Sequence, residues 1–122
     1  SSQYLGKKLI AQIGHKEQEH LMAMYLNNHN QVIDERVISI GTKNRSIASP
    51  SDILRYAVIC NATSIVVAHN HPSGSVEPSG NDRDFTRALM DCCKLFDIVL
   101  LDHVVVGRDN YYSFREKDYL FD

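Results

Sequence analysis

The sequence predicts an α/β (α+β) fold in which helices flank a mixed β-sheet. Three observations predict it. Strand-like apolar segments alternate with segments of helical period, in the order α, β-β, α, β, α, β-β-β. The segment 65–68, Ile-Val-Val-Ala, is apolar on both faces and so belongs in the middle of a sheet. Helix-start signatures stand before two of the helical segments.

The elements follow in chain order. Leu5, Leu9, Ile10 and Ile13 recur at helical spacing, so residues near 3–14 form a short amphipathic helix that Gly14 can stop. Residues 21–26 read as a buried strand. Asn27, Asn28, His29 and Asn30 supply turn chemistry, because Asn tolerates positive φ, and Val32–Ile40 returns as the second strand of a hairpin. Ser49-Pro50-Ser51-Asp52 starts a helix, with Ser49 as cap, Pro50 in the first position and Asp52 in the third. Ile53, Leu54, Ala57 and Val58 give that helix its apolar face, and Asn61 can end it. After the central strand, a Pro/Ser/Gly-rich loop spans 71–80. Ser79 and Asp82 repeat the capping spacing ahead of a helix whose expected buried face is Phe85, Ala88, Leu89, Cys92 and Phe96. Strands are expected at 98–101 and 103–107, the second pairing with 111–114 across an Arg108-Asp109-Asn110 turn.

Composition narrows the function classes. The 122 residues suit one domain, 1–122, able to bury about two thirds of its unfolded surface. With 43% hydrophobic and 23% charged residues the chain is globular, not disordered. Its apolar runs fall far short of the roughly 20 residues a membrane helix needs, and no signal-peptide pattern opens it. A net charge of -2 gives no general attraction to nucleic acid. Lys43 and Arg45 form a local basic spot, read as a solvated loop. The 3 cysteines lack Cys-x2-Cys spacing, so they read as buried free thiols of a cytoplasmic protein rather than a metal or redox site.

One segment carries chemistry. His69 and His71 end the central strand, and residues two apart on an extended chain face the same way. Two imidazoles on one side of a strand tip can converge on one ion. Asp82, at the start of the next helix, can return to them through the loop. Two histidines and one aspartate leave a fourth position for water, the arrangement of a catalytic zinc site. Strand carboxyl ends are where open α/β sheets gather ligands. Capping alone explains Ser79 and Asp82. It does not explain two histidines ending an apolar strand, where they lose solvation and need partners. A carboxylate has enough acceptor sites to cap a helix and bind a metal at once.

The pattern His-x-His-x7-Ser-x2-Asp resembles that of the JAMM (MPN+) metalloprotease domain, and the run His69-Asn70-His71-Pro72-Ser73-Gly74 is similar to its RadC branch. Glu19-His20-Leu21, Asn30-Gln31-Val32-Ile33, Gly41-Thr42 and Leu100-Leu101-Asp102-His103 extend the resemblance over nearly the whole chain. It implies a bacterial protein with a JAMM/MPN-type fold, related in layout to the cytidine-deaminase-like fold. Full-length relatives usually carry an N-terminal helix-hairpin-helix region, so the chain looks like a C-terminal domain alone.

The resemblance also implies roles. His69, His71 and Asp82 match the zinc ligands. Ser79 matches a serine that supports the tetrahedral intermediate. Glu19 best matches the general base that works through water on the zinc. The implied activity is amide or peptide hydrolysis of a peptide or protein substrate. On position alone Ser79 is equally a helix cap; for Glu19 the competing reading is an exposed strand-start carboxylate, with Glu35 as the reserve base. Asn70 stands where the deubiquitinating members usually have Ser or Thr, and the chain is too short for insertions that grip a folded partner. Ubiquitin isopeptide cleavage therefore does not transfer.

The alternative is a non-catalytic binding or scaffold module tied to DNA repair or DNA processing, an association the branch carries and the acidic balance does not support. Contiguous His69-Asn70-His71 lacks the wide spacing of an HNH nuclease, and no Pro-Cys-x-x-Cys follows to make a deaminase. His103 reads as a sheet histidine satisfied locally, or as part of a polar network near the site. His15, His20 and His29 read as surface or strand-edge residues. Tyr111 and Tyr112 are expected on opposite sheet faces. The apolar tail at 119–121 either docks on the chain's own core or binds a partner.

Overall fold

The computed structural model describes residues 2–41 and 49–121. Thr42 and the basic spot at Lys43 and Arg45 lie outside the described residues. A mixed five-stranded sheet has the order β2-β1-β3-β4-β5, with β1 at His20–Leu26, β2 at Val32–Ile40, β3 at Ser64–Asn70, β4 at Val99–Val106 and β5 at Tyr111–Ser113. Only β3 and β4 run parallel; the other pairs are antiparallel. The parallel pair requires a crossover, which α3 (Gly80–Leu95) supplies.

One sheet face packs on α2 (Pro50–Ile59) and α3 through Leu21, Ala23, Tyr25, Ile65, Val67, Ile53, Phe85 and Leu89. The other packs on the N-terminal helix through Met22, Met24, Val66, Ala68, Val104, Leu9 and Ile13. All of β3 is buried, as expected of a strand apolar on both faces. Among the described residues no helix is long and apolar enough to cross a membrane.

Several local expectations need correction. The N-terminal helix is split: α1 covers Ser2–Leu9, and a π-helical turn completes Ile10–Gly14. The strands expected at 98–101 and 103–107 are one strand. The register jumps from Ile65↔Leu100 to Val66↔Asp102, so Leu101 is an extra residue. A one-residue slip exchanges the faces of all that follows. The bulge therefore turns His103 toward the α3 side, where it meets Phe85.

The buried stripe of α3 is Asp82, Phe85, Thr86, Leu89 and Cys93; Ala88 and Phe96 are exposed and Cys92 is half-buried. Hydrophobicity alone passes over Asp82 and Thr86, so the face was expected one position too far round. Val58 on α2 is also exposed. Of the thiols only Cys93 is fully buried, which pushes its pKa up to about 11; Cys60 and Cys92 are half-buried. Phe114 starts a short helix, α4 (Phe114–Lys117), instead of extending β5.

Other expectations hold. Asn30 and Asn61 take positive φ at the hairpin turn and beyond α2. Both capping boxes form. Tyr111 packs with the N-terminal helix cluster while Tyr112 meets Phe114 edge-on. Phe121 docks on the chain's own core.

Candidate metal centre

Strand β3 delivers His69 and His71 to its carboxyl end. His69 is fully buried and His71 half-buried. Their Nε2 atoms lie 3.0 Å apart. Helix α3 delivers Asp82 from its third position. Its Oδ1 lies 3.3 Å from His69 Nε2 and its Oδ2 3.3 Å from His71 Nε2. Glu19, half-buried just before β1, completes the group: it offers an oxygen within 4.8 Å of the histidine nitrogens. The loop thus brings Asp82 back to the strand tip, as its spacing suggested.

The histidine tautomers can be deduced from the second nitrogen of each ring. His71 Nδ1 is 2.8 Å from the Ser75 carbonyl, which only accepts, so Nδ1 carries a proton and, in the neutral ring, Nε2 a lone pair. For His69 the chain is longer. Thr86 Oγ1 donates to the Asp82 carbonyl at 2.6 Å and lies 2.5 Å from His103 Nδ1. A hydroxyl has one proton, so His103 Nδ1–H donates to Thr86. His103 Nε2 then accepts from His69 Nδ1–H at 2.8 Å. In the neutral ring His69 Nε2 is left with a lone pair.

Two imidazole lone pairs and a carboxylate therefore converge within 3.0–3.3 Å in a largely buried place. Acceptors alone repel each other; a cation among them reverses the sign. Tetrahedral zinc with bonds of 2.0–2.1 Å keeps adjacent ligand atoms about 3.3 Å apart, which the observed spacings match. The donor set fits zinc in chemistry and in size.

Asp82 also completes the α3 cap. Its Oδ2 accepts from Ser79 N–H at 2.9 Å, and Ser79 Oγ accepts from Asp82 N–H at 3.0 Å. Burial pushes the Asp82 carboxyl up, but the positive charge and N–H donors that His69 and His71 offer when a proton stands where a cation would, together with the Ser79 amide, outweigh it. The group stays far below the ordinary carboxylate range. Ser79 uses a lone pair for the cap, which leaves its O–H able to donate. It lines a cleft of about 510 Å³ together with Glu17, Gln18, Glu19, His71 and Asp82. The cap therefore leaves Ser79 able to face the cleft as a donor.

Glu35, the reserve base, is elsewhere. It sits on β2, accepts from Gln12 Nε2 at 3.1 Å and lies 3.8 Å from Lys8 Nζ. It is absent from the lining of the histidine cleft. His15 and His29 are exposed and His20 is half-buried.

Three residues support the site in ways the sequence left open or did not show. Asn70, fully buried between the histidines, accepts from His20 N–H at 2.6 Å and donates to the carbonyls of Lys16 and Gln18 at 3.2 and 3.1 Å. It clips the segment bearing Glu19 to the strand bearing the histidines. The second and third are His103 and Thr86. The signal for His103 was a histidine inside an apolar strand. Thr86 gave none, because a lone Thr in a helix is commonplace. His103 is held between the rings of Phe114, stacked at 4.8 Å, and Phe85, edge-on at 6.3 Å.

A model of the RadC-like JAB domain family matches residues 1–119. A UPF0758 protein of Streptococcus suis is 59% identical over 116 residues, 95% of this chain and 47% of that protein. A UPF0758 protein of Streptococcus gordonii is 50% identical over 117 residues, covering 96% and 52%. One of Streptococcus pyogenes serotype M49 is 49% identical over 121 residues, covering 99% and 54%. The chain spans about half the length of these curated relatives.

Proposed function

Because the chain belongs to the RadC-like JAB domain family, we propose that it is a zinc-dependent hydrolase of amide or peptide bonds. The observation that carries this reading is the meeting of His69 Nε2, His71 Nε2 and the Asp82 carboxylate at 3.0–3.3 Å, with both Nδ1 atoms engaged elsewhere. His69, His71 and Asp82 hold the metal. When bound, zinc supplies Lewis acidity and brings the ionisation of water to about pH 7.

The chain's own residues do the rest. Glu19, at the cleft wall, takes a proton from the attacking water and passes it to the departing amine nitrogen as the carbon–nitrogen bond breaks. The Ser79 hydroxyl donates to the carbonyl oxygen as charge builds on it. The open cleft beside Glu17, Gln18 and Pro72 receives a peptide or protein segment.

A second reading rests on Glu19 itself. An oxygen within 4.8 Å of both imidazoles can serve as a fourth ligand. That closes the site and makes the metal structural, in a binding module for DNA-processing partners.

One experiment separates them. Purified protein reconstituted with zinc and gel-filtered is expected to hold one ion per chain, and His71→Ala to lose it. Glu19→Gln is expected to retain zinc with unchanged affinity and to abolish cleavage in a peptide-library screen. Loss of zinc from Glu19→Gln establishes the closed site; no tight zinc in the wild type overturns both readings.

A further inference from the structure

The two histidines reach the same lone-pair state by different means. His71 is set by a backbone carbonyl, which cannot be anything but an acceptor. His69 faces another imidazole, and an imidazole nitrogen can accept or donate. The His69–His103 contact alone leaves the direction of the proton open. If His103 carried its proton on Nε2, His69 Nδ1 would have to accept, His69 Nε2 would hold the proton, and the ring could not bind a metal through that atom.

What breaks the symmetry is one residue further out. Thr86 Oγ1 sits 2.5 Å from His103 Nδ1, and its single proton goes to the Asp82 carbonyl. That carbonyl belongs to the residue whose carboxylate joins the histidines. The direction thus passes from Asp82 C=O to Thr86, to His103, to His69 Nδ1. Every member is buried: His69, His103 and Thr86 fully, Asp82 nearly so. Water is thereby excluded as a competing donor. The Phe114 ring, stacked within 6° of parallel on His103 at 4.8 Å, fixes the ring plane so that both its nitrogens stay aimed.

We propose that Thr86 and His103 are positioning residues that fix the tautomer of His69, keeping its Nε2 lone pair aimed at the site. The proposal rests on the metal-site reading for its purpose but not for its geometry. Loss of the Thr86 oxygen leaves His103 Nδ1–H buried without its acceptor. The ring then gains by moving the proton to Nε2, which forces His69 to protonate at Nε2. Partners of this kind typically change metal affinity 10–100-fold.

The test uses nitrogen-15-labelled full chain, first without metal. Long-range proton–nitrogen spectra report which ring nitrogen of each histidine is protonated. Wild type and Thr86→Ser, which keeps the hydroxyl, are expected to show His69 protonated at Nδ1. Thr86→Val, of nearly equal shape, is expected to shift His69 toward Nε2–H while His71 stays unchanged as an internal control. A packing defect would not move one histidine and spare the other. With zinc in chelator competition, Thr86→Val is expected to bind about 10–100-fold more weakly than Thr86→Ser. A wild-type His69 protonated at Nε2, or a Thr86→Val protein with the wild-type tautomer and affinity, overturns the proposal. Should Thr86→Val not fold, Thr86→Ala replaces it. That variant also removes the hydroxyl, so His69 is again expected to shift toward Nε2–H, and an unchanged His69 tautomer there overturns the proposal. If wild type binds no zinc, the metal reading fails, yet the spectra of the metal-free chain still decide the tautomer question.

Discussion

At the scale of single residues, the site is built from protons placed in advance. Each histidine gives one nitrogen to a fixed partner and presents the other as an acceptor. The two histidines and Asp82 were legible because their residue types and spacing have few other uses at a strand tip. Their partners were not. Whether His103 meets His69 depends on pairing across β3 and β4, which no local pattern reports. Asn70 was read only as a departure from related sequences, whereas three hydrogen bonds give it work. Ser has one hydroxyl and cannot both accept from His20 N–H and donate to two carbonyls. Asn70→Ser is therefore expected to leave zinc affinity within a factor of about three while lowering turnover at least tenfold, as a displaced base would. Metal titration beside a cleavage assay checks this; an equal loss of both would show that Asn70 serves the metal ligands instead.

At the scale of elements, the site depends on how three pieces end. β3 stops at Asn70, α3 begins on its capping box, and the turn between them is clamped by His71 Nδ1–H on the Ser75 carbonyl. Gly74 takes φ +92 in that turn, a region open to glycine. Gly107 lies behind it. A Cβ there would come 2.7 Å from the Gly74 carbonyl oxygen and 2.7 Å from Asn110 Oδ1. Gly107→Ala is expected to push the turn toward the cleft, loosen His71 and weaken zinc binding about tenfold, while α3 keeps its cap. Chelator competition and the helical circular-dichroism signal check the two halves. Unchanged affinity would mean the turn yields without cost. The caps and most element bounds were readable from sequence because they rest on local chemistry. The bulge at Leu101 and the true buried face of α3 were not. Both are set by what the neighbouring element requires, and Thr86 is buried for a hydrogen bond that hydrophobic periodicity does not register.

At the scale of the whole molecule, the described residues form a sheet whose β3–β4 pair carries the site, with a helix layer on each face. The layering excludes water from the far side of the His69 imidazole and leaves the cleft side open. The fold class followed from the order of elements and the doubly apolar β3. The strand order did not, because β1 pairs with both β2 and β3 and only the first of these is a local hairpin. On the proposed reading, this architecture holds two imidazole nitrogens and a carboxylate as a ready-made cation seat. The most direct measurement is a zinc-edge X-ray absorption spectrum of the chain loaded with one equivalent of zinc. Two imidazole nitrogens are expected at about 2.0–2.1 Å, oxygen donors at about 2.0–2.2 Å, and no sulfur. A sulfur shell at about 2.3 Å, or fewer than two imidazoles on the ion, would contradict that reading.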